Sequence, residues 1–239
     1  MIGESGSGKT ILARTILGLA PSTGGRINLG DRSLSDYSPR QWNALRRAGT
    51  VQYVFQDPLR SLDPDQTVGW SLAEPLKIRG VRSREEIRRR VEELAIDVNL
   101  DTALLDRFPS ELSGGQRQRV SVARGLATEP DLLILDEPVS ALDAANRVQV
   151  LQLLEKLRSR GISLIFISHD LGSVGGVTDR TVVLYRGEIV EDGPTRQVIG
   201  NPQHPYTRLL VGSAPTLTSR ASLSTEEKDR LRAALAPAG

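Results

Sequence analysis

The chain contains no cysteine, a single methionine, two tryptophans, four tyrosines and three phenylalanines in 239 residues. Without cysteine there is no disulfide framework, no thiolate metal site and no iron–sulfur cluster, which fits a reducing cytoplasm. No apolar run approaches the ~20 residues that span a bilayer. The first residues also lack the charged-then-apolar plan of a signal peptide, so any membrane role has to come through partners. Charge of one sign is scarce too. Thirty-one Lys and Arg against twenty-nine Asp and Glu leave +2, a balance that does not argue for nucleic acid. Internal repeats are absent. The length fits one large domain, or a domain with a subdomain, able to bury a substantial core.

What is present begins at the third residue. Gly3-Glu4-Ser5-Gly6-Ser7-Gly8-Lys9-Thr10 fits G-x-x-x-x-G-K-[ST], in which permissive turns aim backbone N–H groups at the phosphates of a nucleotide. Lys9 would reach the β/γ-phosphates, and the Thr10 hydroxyl would ligate Mg²⁺. Such a loop joins a buried strand to a helix. Only Met1 and Ile2 precede it, and two residues are expected to be too few for a central strand. Flanking strands would then be left with unpaired backbone groups, each costing about 1–3 kcal/mol if buried.

Lys9 to Leu19 reads as a well-buried helix, Arg26 to Leu29 as a short strand before the Gly30-Asp31 turn, Pro39 to Arg47 as a helix with Pro first, and Val51 to Phe55 as a strand. Residues 67 to about 126 carry helical patterns, with a capping box at Ser83–Glu86 opening a helix to about Ala95. This stretch is expected to be a helical subdomain inserted into the core. Asp131 to Leu135 is an apolar strand, Asp143 to Arg160 an amphipathic helix with Val148, Leu151 and Leu154 on one face, and Ile162 to Ile167 another buried strand. Three glycines weaken the helix expected at Asp170 to Thr178, each by roughly 1 kcal/mol relative to Ala. Thr181–Tyr185 and Glu188–Glu191 read as a hairpin around Arg186-Gly187, and Ser224 with Glu227 caps a last polar helix. Strands alternating with helices imply an α/β fold whose mostly parallel sheet is covered on both sides.

A second chemical element is Leu133-Ile134-Leu135-Asp136-Glu137, a buried strand ending in two carboxylates where open α/β sheets bind ligands. Asp136 would hold Mg²⁺, and Glu137 would act as general base or water-positioner for hydrolysis. A third is Ser113-Gly114-Gly115-Gln116. Ser113 is placed as an N-cap, and two glycines leave N–H groups bare at a helix start, a second anion site. Two phosphate-binding helix starts in one chain suggest a head-to-tail pair. Each nucleotide would lie between one chain's phosphate loop and the other's Ser113–Gly115.

Leu112-Ser113-Gly114-Gly115-Gln116 resembles the signature of ATP-binding-cassette ATPases, and the family's other motifs stand in order over residues 1 to about 212. Gln56 matches the Q-loop glutamine, which the resemblance implies senses Mg²⁺ and the membrane partner. Ser140-Ala141-Leu142-Asp143 matches the D-loop, with Asp143 communicating across the dimer, and His169 matches the switch histidine that contacts the γ-phosphate. The implied fold is a P-loop NTPase core with an inserted helical subdomain, followed by a loosely packed extension over 213–239. The family's usual β-region ahead of the loop, with its adenine-stacking aromatic, is lacking. No aromatic occurs in residues 1–36. A misplaced start and a defective, non-catalytic fragment both explain this.

Asp57 to Pro64 and Asn201 to Thr207 resemble segments of importers of oligopeptides, dipeptides and nickel. The expected function is therefore an ATP-hydrolysing importer subunit, with ATP and Mg²⁺ as cofactors, peripheral on the cytoplasmic face of the membrane. Its expected partners are transmembrane permease subunits, a second ATPase subunit (identical or a paralogue) and, indirectly, an extracytoplasmic substrate-binding protein. A cassette ATPase acting on nucleic acid or ribosomes is the alternative. It is disfavoured because Thr10 and Ser113 lie close in sequence with no heptad array between them. The arginines from Arg79 to Arg90 read as a solvated, salt-bridged face, with binding to anionic headgroups as the alternative. Trp42 and Trp70 read as packing residues.

Overall fold

The computed structural model describes residues 1–213 and 223–235. The remainder of the expected C-terminal extension, residues 214–222 and 236–239, lies outside the described residues. The chain divides into two compact units, one of residues 11–165 and the other of residues 1–10 with 166–239.

In the larger unit, β1 (Asn28–Leu29) and β2 (Arg32–Ser33) form a short antiparallel hairpin around Gly30-Asp31. Helix α2 (Pro39–Ala48) starts with Pro39 and is held by a reciprocal capping box between Ser38 and Gln41. Strand β3 (Val51–Val54) pairs in parallel with β4 (Leu132–Asp136), Val51 opposite Leu132 through Val54 opposite Leu135. The sheet order is β3-β4-β5, with β5 spanning Ser163–Ile167. All five residues of β4 are buried, as a central strand covered on both faces requires.

Between β3 and β4 the chain is helical. It forms a 3₁₀ turn (Pro58–Arg60), α3 (Val68–Arg79, capped by Thr67), α4 (Arg84–Asp97), two further 3₁₀ turns and α5 (Gly114–Leu126). Ser83 Oγ caps α4 by accepting from the Glu86 N–H. On its arginine face Arg89 pairs with Glu93 at 2.9 Å and Arg90 with Glu129 at 3.0 Å, while Arg79 donates to the Thr128 carbonyl. Trp42 lies so close to Gly18 that a Cβ there would meet its ring at 2.2 Å, the packing role expected of it.

Two helices depart from expectation. Helix α1 (Lys9–Ile16) is not buried on every turn: Lys9, Ala13 and Leu17 are buried, whereas Ile11 is 66% and Leu19 59% exposed. Burial follows one stripe at four-residue spacing rather than the apolar content. Helix α6 (Ala144–Ser159) buries Val150, Leu153, Leu154 and Leu157, and Val148 is 52% exposed. Both stripes fit the sequence, but only the buried one completes the i, i+3, i+4, i+7 pattern.

In the second unit, β6 (Arg180–Tyr185) and β7 (Glu188–Pro194) form the expected hairpin. Arg186 (φ 51°) and Gly187 (φ 86°) both adopt left-handed conformations, which match a two-residue turn to the strand twist. Helix α7 (Leu171–Val177) is short, as its glycines suggest. Helices α8 (Thr195–Gly200), α9 (Pro205–Ser213) and α10 (Thr225–Ala234) follow, the last with the expected Ser224–Glu227 capping box.

Met1 and Ile2 form no strand, as expected, but they make isolated bridges that pair some of the neighbouring groups. Ile2, fully buried, bridges in parallel to Ser168 on one side and Val183 on the other. The Met1 nitrogen donates to Phe166 O at 2.6 Å and Ile2 N–H to Val182 O at 2.9 Å. Ser168 N–H donates to Met1 O at 3.1 Å, and Leu184 N–H to Ile2 O at 2.8 Å.

Candidate functional site: a phosphate loop, a carboxylate strand end and a second helix start

The phosphate loop springs from that bridge. Gly3 is an obligatory glycine: its φ is 153°, and a Cβ would sit 2.2 Å from the Leu184 carbonyl oxygen. Gly6 and Gly8 have φ of 82° and 102°, the left-handed conformations that turn successive N–H groups inward. Gly187 N–H donates to Ser7 O at 3.2 Å, so the β6–β7 turn props the loop. Lys9 is 6% exposed, and its ammonium donates to Gly3 O (2.8 Å), Glu4 O (2.7 Å) and Ser7 Oγ (3.3 Å). Glu4, Ser5 and Gly6 are exposed, Ser7 is buried, and Gly8 and Thr10 are half-buried. The Glu4 N–H donates to Tyr206 Oη at 2.7 Å. Since Ile2 pairs in parallel with Ser168, Gly3 and His169 leave the sheet side by side, His169 exposed ahead of α7.

In the larger unit, the β3–β4 register brings Gln56 opposite Glu137 just beyond the strand ends. Gln56 Nε2 donates to Glu137 Oε2 at 2.9 Å. Glu137 has φ of 47°, rare outside glycine, and its carbonyl accepts from Ser140 N–H and Oγ at 3.2 and 3.1 Å. A left-handed backbone on a non-glycine residue is the kind of local strain that clusters at working sites. Asp136 is 8% exposed and accepts from Tyr53 Oη at 2.5 Å. Burial first, and then this bond, hold the Tyr53 phenol above its ordinary range, so it stays a donor.

The start of α5 is built differently. Ser113 Oγ accepts from Gln116 N–H at 3.2 Å, while Gln116 Oε1 accepts from Ser113 N–H at 2.8 Å. A serine hydroxyl used as an acceptor still carries a proton to donate. Gly115 is demanded by packing, since a Cβ would meet Asn146 Oδ1 at 2.2 Å; at Gly114 nothing lies within 4 Å. Asp143 caps α6, accepting from Asn146 N–H at 2.9 Å and Asn146 Nδ2 at 2.7 Å. The Asn146 backbone bond is the main reason its carboxyl is held below the usual range.

The donors expected for a metal, Thr10, Gln56 and Asp136, are all oxygen ligands of the kind that hard Mg²⁺ takes. Among the described residues no group of three or more His, Cys, Asp or Glu could cage a metal.

Tyr53 and the part played by Tyr206 were not legible beforehand. Tyr53 lies opposite Ile134, two positions from Asp136 on the same face of β4, so its signal is visible only once the register is known.

Residues 1–140 match the family profile described as "ABC transporter", and residues 190–238 match "Oligopeptide/dipeptide transporter, C-terminal region". The chain is 46% identical over 217 residues to the "Oligopeptide transport ATP-binding protein OppF" of Escherichia coli (strain K12), covering 90% of this chain and 64% of that protein. It is 47% identical over 216 residues to the "Glutathione import ATP-binding protein GsiA" of Escherichia coli O6:H1 (strain CFT073), covering 90% and 34%. The chain thus spans about a third to two thirds of the length of these relatives. Among solved structures, the dimeric ATP-binding cassette MJ0796 bound to ADP and Pi superposes with a TM-score of 0.73 and 31% identity. That match covers 82% of this chain and 84% of that one. With the family profile matched over more than half its length, the chain belongs to the ABC transporter family.

Proposed function

We propose that this chain binds and hydrolyses ATP as the motor subunit of an importer for peptide-class cargo. The phosphate loop would receive the β- and γ-phosphates as Lys9 exchanges the carbonyls of Gly3 and Glu4 for phosphate oxygens. Glu137 would take a proton from the attacking water or orient it, with Gln56 holding the carboxylate and His169 contacting the γ-phosphate. Thr10, Gln56 and Asp136 would hold Mg²⁺, which when bound neutralises charge on the phosphate oxygens.

The observations carrying the reading are a formed phosphate loop in one unit and, in the other, a strand-end carboxylate on a residue with a left-handed backbone. The Ser113–Gln116 helix start would serve a nucleotide held by a second ATPase subunit. Gly114, where a Cβ would meet nothing within 4 Å among the described residues, leaves room for that role, and the dimeric cassette to which the fold is similar supports it. Among the described residues no helix is long and apolar enough to cross a membrane, so coupling to transport would run through permease subunits at the cytoplasmic face. A substrate-binding protein outside would deliver cargo. The names of the relatives and the matched C-terminal region favour peptides.

The test is phosphate release from MgATP by the full chain and by Glu137→Gln. Turnover should fall by about 10²–10⁴, the usual worth of a general base, while ATP affinity is kept. Undiminished hydrolysis by the variant overturns the assignment.

A further inference from the structure

The segment Asn201–Thr207 marks a resemblance in the sequence, yet ATP chemistry leaves it unexplained. Its geometry gives it a task. Tyr206 is 1% exposed, among the largest fully buried side chains, and its ring stacks on Tyr185 at the end of β6 (centroids 4.3 Å apart, planes 28° apart). Its hydroxyl accepts the Glu4 N–H at 2.7 Å. Glu4 is the residue whose carbonyl receives Lys9 at 2.7 Å and Ser7 N–H at 3.1 Å. One phenol thus fixes the peptide against which the loop's lysine is stored.

The phenol is itself held in place. Glu191 of β7 accepts from the N–H groups of Gln203 and His204, both at 3.0 Å, and His204 Nδ1 accepts from Tyr206 N–H at 3.1 Å. Arg208 Nε donates to Pro202 O at 3.0 Å. Proline at 202 and 205 stiffens the approach to α9. Burial pushes the Tyr206 phenol up to about 12 even though the Glu4 N–H pulls it down, so the acceptor stays neutral.

We propose that Tyr206 is a positioning residue for nucleotide phosphates: through Glu4 it holds the loop open at its base, making the C-terminal segment part of the ATP site. The inference rests on the reading of Gly3–Thr10 as a phosphate loop. It implies that Tyr206→Phe, which keeps ring, volume and stacking, leaves Glu4 N–H without its partner and lets the loop drift from the phosphate-binding shape.

The experiment measures dissociation constants of MgATP and of tripolyphosphate, which engages only the phosphate loop, for the wild-type chain, Tyr206→Phe and Tyr206→Leu. Thermal melting is followed in parallel. Tyr206→Phe should weaken both ligands by a similar factor of five to thirty and raise KM more than it lowers kcat, with Tm nearly unchanged. Tyr206→Leu should lose affinity and Tm together. A folded Tyr206→Phe chain that binds both ligands as the wild type does overturns the inference while leaving the loop assignment standing. A wild-type chain that binds neither ligand overturns the loop assignment, and the inference with it.

Discussion

The chain has two glycine-rich helix starts, and they are made in opposite ways. At Gly3–Thr10 almost every conformation is enforced from within. A carbonyl stands where a Gly3 Cβ would go, the Gly187 N–H holds Ser7, Tyr206 holds Glu4, and the loop's lysine is bonded to its own carbonyls. At Ser113–Gln116 the chain supplies a capping box and a packed Gly115, then leaves Gly114 with no neighbour. The first is a loop whose shape is set by its own chain. On the proposed function the second is half of a site that another subunit would complete.

This contrast can be broken most severely at Gly3. Gly3→Ala forces a Cβ into the Leu184 carbonyl oxygen in a conformation that L residues rarely adopt. The expected cost is about 2–4 kcal/mol, read by chemical denaturation, together with loss of ATP binding. A smaller effect separates the two signature glycines. Gly115→Ala should cost about 1–3 kcal/mol because Asn146 must give way. Gly114→Ala should leave the melting temperature of the isolated chain unchanged, impairing turnover only in the assembled dimer. Equal destabilisation by both would erase the distinction.

The smallest effect concerns pH. Burial would raise the Glu191 carboxyl, but the N–H groups of Gln203 and His204 outweigh it and hold the carboxyl below the ordinary range. A depressed pKa gives stability that is full above the unfolded value of ~4.3 and is lost as pH falls through the lower folded value. Hydrogen exchange at the His204 amide should therefore quicken below about pH 4 in the native chain. In Glu191→Gln it should show no such step.

Much of this was legible in the sequence, because motif spacing and caps are local. The phosphate loop, the Ser113 N-cap, the Ser224 capping box and the β6–β7 turn depend on residues a few positions apart, whereas of the box expected at Ser83–Glu86 only the Ser83 bond is present. What escaped was set by register and by choice of face. Val148 and Val150 are equally apolar, and only packing decides which is buried. Tyr53 meets Asp136 across 83 positions of sequence, and Tyr206 meets Glu4 across 202. The pairing of Met1 and Ile2 on both sides was missed for a different reason. The bridges are set by residues more than 160 positions away, which no local pattern announces.

The central claim is that one chain holds a whole phosphate loop and only half of a second site. Its most direct test is the affinity of the isolated chain for MgATP after Ser113→Arg, compared with Lys9→Ala. The account predicts that Lys9→Ala loses binding while Ser113→Arg binds ATP as the native chain does and fails only when two subunits must close. Weakened ATP binding by isolated, folded Ser113→Arg chain would contradict it.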